Sequence, residues 1–156
     1  MPRDMLTELK QKKPFPNPEE ELCLSLIRTA DLLGRGVYDL LKVHDLSTTQ
    51  YNTLRILRGA GEKGMPCGDI GSRLVTRDPD VTRLLERMRL RGLISRQRFP
   101  GDRRVITARI TPAGLSVLRV LDRPMARAHR KQLGFFPGSE TRVLLRQLMR
   151  IRENLA

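Results

Sequence analysis

Residues 66–111 constrain the fold of this 156-residue chain more than any other segment. The segment reads as a short helix, a turn, an amphipathic helix and two alternating strands around a Pro-Gly-Asp turn. In the second helix the apolar positions recur at i, i+3, i+4 and i+7 and form one stripe: Val81, Leu84, Leu85 and Met88. The opposite face of that helix carries Thr82, Arg83, Glu86 and Arg87. One helix face should therefore be buried and the other should carry cations.

The same segment holds much of the positive charge of the chain. Residues 73–109 contain eleven Arg, no Lys and four acidic residues, which leaves +7 of the formal net charge of +13. A GC-rich genome would favour Arg over Lys everywhere, but it does not explain this clustering. A basic helix followed by a basic hairpin is the sequence form of a winged helix-turn-helix, and a pI near 11.1 favours a polyanionic partner. The segment predicts binding to double-stranded DNA.

The remaining composition argues against several classes of protein. No run of eighteen apolar residues exists, which predicts no membrane span, and the N-terminus lacks the apolar core of a signal peptide. With only two Cys, the chain fits a reducing compartment, and we expect it in the cytoplasm. Two isolated His make a metal site improbable. No nucleophile–base pair, phosphate loop or carboxylate pair is recognisable, so we predict neither enzymatic activity nor a cofactor.

The ends of the chain predict helices around this segment. Residues 1–16 read as a basic arm with one short helix over residues 3–10. Asn17-Pro18 should open a long helix that reaches about residue 44, within an N-terminal segment 17–46. Thr111-Pro112 should open another helix, which Pro124 should kink or break. A last helix should be capped by Ser139. It carries apolar residues at heptad-like spacing: Leu144, Leu148, Ile151 and Leu155.

Residues 47–111 should form the DNA-binding domain and residues 112–156 a C-terminal helical part. Ser47 and Gln50 form a capping-box pattern, and the helix after them should bury Tyr51, Leu54 and Leu57 up to Arg58. A third helix is expected over residues 66–74. The fourth should begin at Asp78-Pro79 and end at Gly92, followed by a two-stranded wing. The long N-terminal helix has more apolar face than one chain can cover, which indicates a homodimer.

Several short motifs, in order, resemble the MarR family of transcriptional regulators over roughly residues 19–154. They are Leu46-Ser47 with Gln50-Tyr51, the helix 80–87 with Arg91-Gly92-Leu93-Ile94, the wing Asp102-Arg103-Arg104 with Ile110-Thr111, and Thr111-Pro112-Ala113-Gly114. The resemblance implies a homodimer in which N- and C-terminal helices intertwine. Each subunit would present a winged helix-turn-helix to a pseudo-palindromic operator. In many members a small aromatic anion releases the DNA, and in others a cysteine responds to peroxide.

The candidate DNA-contacting residues lie on the fourth helix and the wing. Arg83 and Arg87, with Thr82, can reach base edges in the major groove, although an exposed pair of Arg83 with Glu86 or Glu62 is the plainer alternative. Asp80 would either accept from a cytosine amino group or steady the helix N-terminus. Arg104 resembles the minor-groove arginine of the family, held by Asp102. The remaining candidates, for phosphate contact or as a solvated face, are Arg77, Arg96, Arg98 and Arg103.

Two modes of regulation remain open, and the first is preferred. A small aromatic or anionic ligand would bind between the helices 17–44, 47–58 and 112 onward, with Arg28, His44 and Arg55 as candidates. Alternatively, Cys67, expected at the N-cap of the third helix, would be oxidised there, with Cys23 as a second thiol. For both thiols, the plainer interpretation is a small packing residue without a redox role. The sequence therefore predicts a DNA-binding transcriptional repressor. A sequence-indifferent architectural protein or a winged-helix interaction module is the alternative.

Overall fold

The computed structural model describes residues 4–99 and 102–156, and it is mainly helical with one small antiparallel sheet, as predicted. A single 3₁₀ turn, Gly61–Lys63, follows the third helix. The helices and strands are α1 Met5–Glu8, α2 Pro18–Lys42, α3 Thr48–Ala60, β1 Met65–Pro66, α4 Cys67–Arg73, α5 Val81–Leu90, β2 Ile94–Phe99, β3 Asp102–Ile110, α6 Pro112–Leu133 and α7 Gly138–Leu155. None of these helices is both long and apolar enough to cross a membrane.

The predicted starts of α2 and α3 are confirmed. Asn17 caps α2, because its side-chain oxygen accepts from the backbone N–H of Glu20 at 2.8 Å. The capping box of α3 is complete: Ser47 Oγ accepts from the N–H of Gln50 and Gln50 Oε1 accepts from the N–H of Ser47, both at 3.1 Å. Ahead of α2, the short α1 contacts it through a buried Met5. Part of the predicted arm is therefore folded.

The core lies between the C-terminal end of α2, the helices α3 to α6 and the sheet. Most of the apolar residues that the sequence predicted to be buried in α3 and α5 are fully buried there. Val81 is half-buried, and Tyr51 remains slightly exposed. The largest fully buried apolar side chains are Leu41, Leu54, Leu57, Ile70, Leu84, Leu85, Met88, Ile94, Leu118 and Leu121. Burial of each such side chain contributes roughly 1.5–3 kcal/mol, so this cluster fixes how α5 sits against the other elements.

The sheet has three strands rather than the two predicted. β1 pairs antiparallel with β3 through Met65 opposite Ala108 and Pro66 opposite Thr107, giving the order β1-β3-β2. A strand of two residues is too short to show alternation, so the sequence could not indicate it. The pairing of β2 with β3 is as expected, in a register that places Arg96 opposite Ala108. The Pro100-Gly101 part of the predicted turn lies outside the described residues.

Two predicted helix starts on the DNA-binding segment are wrong by one or two residues. α5 begins at Val81 with Asp80 as its N-cap, and Asp78 only accepts from the N–H of Asp80 at 2.9 Å. The reason is that Asp80 Oδ1 takes the N–H of Arg83, also at 2.9 Å. The N-cap of α4 is Pro66, not Cys67, because Pro66 is held extended by its pairing in β1.

The C-terminal helices also differ from the prediction. Pro124 does not break α6, which continues to Leu133 with Leu121 and Met125 buried on either side of the proline. Ser139 does not cap α7, because the helix already begins at Gly138 with Pro137 at the N-cap position. α7 has no buried residue at all, and none of the other described elements packs extensively against it.

Candidate nucleic-acid interface

Packing of one face of α5 decides which of its residues remain available. Leu84, Leu85 and Met88 are buried, which confirms most of the predicted stripe. Val81 is half-buried and approaches Gly71 of α4, where an added Cβ would lie 3.3 Å from Val81 Cγ2. α4 and α5 thus pack as the two helices of a helix-turn-helix. The opposite face of α5 is exposed at Thr82, Arg83 and Arg87, and Arg77 is exposed in the loop before it.

Arg83 is paired with the residue that caps its own helix. Its Nε lies 3.4 Å from Asp80 Oδ2, and 77% of the side chain remains exposed. The alternative partners expected from the sequence, Glu86 and Glu62, are not the ones it takes. Of the two roles considered for Asp80, the structure shows the N-terminal one, since its other oxygen accepts the N–H of Arg83. Arg83 therefore projects outward on a helix whose first turn is fixed.

A cluster around Glu86 joins α5 to the wing. Glu86 accepts from Arg89 at 2.7 and 3.0 Å and from Arg96 Nη1 of β2 at 3.3 Å. The hydrogen bond from Arg89 is the main reason that the pKa of the Glu86 carboxyl lies below its usual value. The Arg96 side chain is only 18% exposed, and its Nε is enclosed without an acceptor. The structure places Arg96 against α5 rather than on the outer face predicted for it.

The wing tip has the arrangement predicted from the sequence. Asp102 Oδ1 accepts from the backbone N–H of Arg104 at 2.9 Å and lies 3.3 Å from its Nε. The Arg104 side chain is nevertheless 93% exposed. Arg98 is also exposed, near the end of β2. Arg103 lies in β3, but its side chain is outside the described part of the structure.

A groove of about 520 Å³ borders the C-terminal end of α5. Lys42, Arg87 and Arg91 contribute cations to it, and Tyr38 and Leu90 contribute apolar surface. Asp45 also lines the groove, with its Oδ2 3.5 Å from Arg91 Nη2. The sequence predicted no DNA contact for Arg91 or Lys42, because neither belongs to the outer face of α5.

A second cavity, of about 570 Å³, lies between α2, α3, α6 and the loop before α5. The elements around it are those predicted for a ligand cleft, and Arg55 lines it, with its Cζ 5.9 Å from the centre of the Tyr51 ring. Burial raises the pKa of Tyr51, although Arg55 opposes that shift. The other candidates lie elsewhere: Arg28 faces Glu8 at 3.6 Å, and His44 lies in the turn after α2, where its N–H donates to the Leu41 oxygen. His129 lines the cavity instead.

Neither cysteine belongs to α5 or to the wing. Cys23 is exposed on α2, and Cys67 is half-buried and packs against the core. Across the described residues, no group of three or more His, Cys, Asp or Glu could hold a metal ion.

Comparison with known proteins agrees with this geometry. The sequence model of the MarR family matches residues 44–105. The chain is 31% identical over 104 residues to the HTH-type transcriptional regulator TtmR of Methylorubrum extorquens strain PA1, an alignment that covers 67% of the chain and 52% of TtmR. The chain thus spans about half the length of the curated relatives it matches.

Two solved structures extend the similarity over nearly the whole chain. A MarR transcription factor from Planctomyces limnophilus shares 38% identity with a TM-score of 0.67, over 92% of this chain and all of that one. PcaV of Streptomyces coelicolor, solved with its natural ligand, shares 25% identity with a TM-score of 0.68, over 81% and 91% of the two chains. The sequence matches, the buried helix-turn-helix and the wing together show that this chain belongs to the MarR family of DNA-binding, winged-helix transcriptional regulators.

Proposed function

We propose that the chain is a cytoplasmic homodimeric repressor that binds an inverted-repeat operator. In this proposal α5 is the recognition helix and lies in the major groove, and the wing lies at the adjacent minor groove. The observation that carries the proposal is the outer face of α5, where Thr82, Arg83 and Arg87 are exposed on a helix whose other face is buried. The segments would divide as a basic arm over 1–16, dimerisation helices over 17–46 and 112–156, and a DNA-binding domain over 47–111.

Arg83 and Arg87 suit the reading of bases because they lie one helical turn apart. Four residues of α-helix advance about 6 Å, close to the spacing of two base pairs. Each guanidinium can donate two hydrogen bonds to O6 and N7 of guanine. The exposed pair of Arg83 with Asp80 is worth only about 0–1 kcal/mol, so contact with a base would readily replace it.

The wing supplies a second kind of contact. Arg104 is the most exposed of the paired arginines, and Asp102 fixes its backbone while leaving the guanidinium free to enter a narrow minor groove. Arg77, Arg98 and Arg103 would bind phosphates and set the register without reading sequence. Arg96 would contribute indirectly, since Glu86 holds it against α5.

The homodimer is supported by apolar surface that a single chain leaves exposed. Most of the exposed large apolar residues of the described chain lie on the segments 18–42 and 112–155: Leu22, Ile27, Leu32, Tyr38, Val120, Leu133, Phe135, Val143, Leu144, Leu145, Met149 and Leu155. A second copy of the same helices would cover this surface. Equilibrium sedimentation should give twice the chain mass. Leu145→Glu on α7 should shift the protein toward monomer and weaken operator binding, and a monomeric wild type would contradict the proposal.

A small aromatic anion is proposed as the effector, bound in the cavity beside α3. The cavity offers apolar walls, Arg55 as a cation, and contact with the loop that leads into α5. Asn52, also in its wall, holds that loop by accepting the N–H of Val75 at 2.8 Å. A ligand that displaced this bond would move the start of the recognition helix. PcaV, which shares the fold, has been solved with its natural ligand.

Thermal denaturation with a series of benzoate derivatives tests the effector. A binding acid should raise the melting temperature of the wild type and weaken DNA binding. Arg55→Met should lose both effects, while Arg28→Met, outside the cavity, should keep them. If no acid changes the melting temperature but peroxide releases DNA from the wild type and not from Cys67→Ser, regulation is by oxidation instead.

DNA selection from a random duplex library tests the central proposal. The wild type should enrich one inverted repeat with half-sites about one helical turn, roughly 34–36 Å, apart. Arg83→Ala should lose about 1–3 kcal/mol on this repeat and relax the preference at one base pair. Arg119→Ala removes an equal charge from the exposed face of α6 and serves as control. Equal weakening on all sequences would instead identify an architectural DNA-binding protein.

A further inference from the structure

The turn between α2 and α3 is the point where the proposed dimerisation helix meets the DNA-binding segment. It consists of residues 43–47, and Asp45 within it has a φ of 52°, in the left-handed region that is unfavourable for most residues. The turn closes the end of α2, because the N–H groups of His44 and Leu46 donate to the Leu41 oxygen and that of Asp45 to the Lys42 oxygen. A strained turn of this kind keeps one shape only if other groups hold it.

The guanidinium of Arg91 provides such a hold. Its Nη1 donates to the backbone oxygen of Asp45 at 2.5 Å and lies 3.4 Å from Gln50 Oε1. Its Nη2 donates to the backbone oxygen of His44 at 3.4 Å and lies 3.5 Å from Asp45 Oδ2. One side chain therefore contacts the turn that follows α2 and the first turn of α3. These partners are 41–47 residues away in sequence.

Arg91 is also fixed to the recognition helix. It is the C-cap residue of α5, and its backbone N–H donates to the oxygen of Arg87 at 3.2 Å. Only 34% of its side chain is exposed, so the guanidinium is committed to the turn rather than to solvent. Arg89, two residues earlier, bonds Glu86 within the same helix. Of these two neighbouring arginines, only Arg91 connects α5 to the turn that follows α2.

We propose that Arg91 is a positioning residue that fixes the angle between the recognition helix and the dimerisation helix. The proposal rests on the proposed homodimer, because that angle then sets the distance between the two recognition helices. Arg91 reads no base itself. Its contribution is to make the dimer accept one spacing of half-sites and reject others. The backbone oxygen of Asp45 carries the hold, while the Asp45 carboxylate, 95% exposed, adds little.

A distance measurement without DNA tests the hold directly. Spin labels are placed at Asp39→Cys on α2 and Thr82→Cys on α5, both exposed, in a background with Cys23→Ser and Cys67→Ser. Labelled protein is diluted with excess unlabelled protein, so that pulsed electron resonance reports the distance within one chain. With Arg91 present we expect one narrow distribution. Arg91→Ala should broaden it or add a second population, and Arg89→Ala should leave it unchanged.

Operator spacing tests the consequence. Duplexes carry the selected half-sites with two base pairs added or removed between them, which rotates one half-site by about 70° relative to the other. We expect the wild type and Arg89→Ala to lose about tenfold or more in affinity on the altered spacings, and Arg91→Ala to lose less than about threefold. Asp45→Gly, which keeps the backbone oxygen and suits the positive φ, should retain the wild-type preference.

The outcomes separate this inference from the proposed function. An unchanged distance distribution in Arg91→Ala overturns the inference, as does an unchanged spacing preference. If the wild type selects no inverted repeat, the proposed operator fails, while the distance measurement still decides whether Arg91 holds the turn. Should Arg91→Ala fold poorly, Arg91→Lys replaces it. A single ammonium can keep the bond to the Asp45 oxygen but not all four contacts, so an intermediate broadening is expected.

Discussion

Gly114 lies in the first turn of α6, close to the end of β3, and replacing it with alanine should destabilise the protein. An added Cβ at this buried position would meet the backbone oxygen of Leu93 at 2.4 Å and Ile110 Cγ1 at 2.8 Å. A backbone oxygen cannot swing aside as a side-chain end can, so we take about 2–3 kcal/mol as the cost of overpacking. Alanine regains about 1 kcal/mol of helix propensity. The net loss should be about 1–2 kcal/mol.

Gly59→Ala is the matched control, because Gly59 is also helical but nothing lies within 4 Å of its added Cβ. There alanine should stabilise by about 0.4–1 kcal/mol. Thermal denaturation at one protein concentration should therefore shift in opposite directions, down by roughly 2–8 °C for Gly114→Ala and up by roughly 1–4 °C for Gly59→Ala. If Gly114→Ala melts at or above the wild-type temperature, the close contact with Leu93 does not exist in solution.

Three further changes test the surroundings of the site. The hydrogen bond from Arg58 lowers the pKa of the Asp122 carboxyl, so its small stabilisation is present at pH 7 and lost as the pH falls through that lowered value. Asp122→Asn should therefore lower the melting temperature at pH 7, and its difference from the wild type should shrink as the pH falls below the ordinary aspartate pKa. Glu86→Ala leaves Arg96 without its acceptor and should weaken operator binding more than binding to scrambled DNA, measured by fluorescence anisotropy. Asp102→Ala removes one negative charge and loosens the wing tip. It should therefore strengthen binding to scrambled DNA and weaken operator binding in the same assay.

Local signals were sufficient for much of the fold. The capping residues Asn17, Ser47 and Thr111 predicted three helix starts, because each cap depends on a bond to a backbone group three residues away. The stripe on α5 predicted which face is buried. Asp102 and Arg104 were expected to pair because they are neighbours on one turn, and the structure confirms that pair.

What the sequence did not indicate depends on contacts between distant segments. β1 exists because Met65 and Pro66 meet β3, and its two residues carry no pattern of their own. His129, rather than His44, reaches the cavity because the packing of α6 against α2 decides which faces meet. Arg91 was part of a family motif, but its partners in the turn after α2 could not be inferred from spacing. Such contacts follow from the packed core and not from local propensity.

The arginines of the basic segment 73–109 fall into two groups, those that remain accessible to DNA and those that contact other parts of the protein. Asp80 and Asp102 pair with Arg83 and Arg104, which stay almost fully accessible. These exposed pairs are weak, about 0–1 kcal/mol, and a phosphate or a base can replace the carboxylate. Arg91 and Arg96 are instead enclosed by groups of the protein. Since only accessible cations displace counterions from DNA, the net charge of the segment overstates the number of phosphates that each protomer can neutralise.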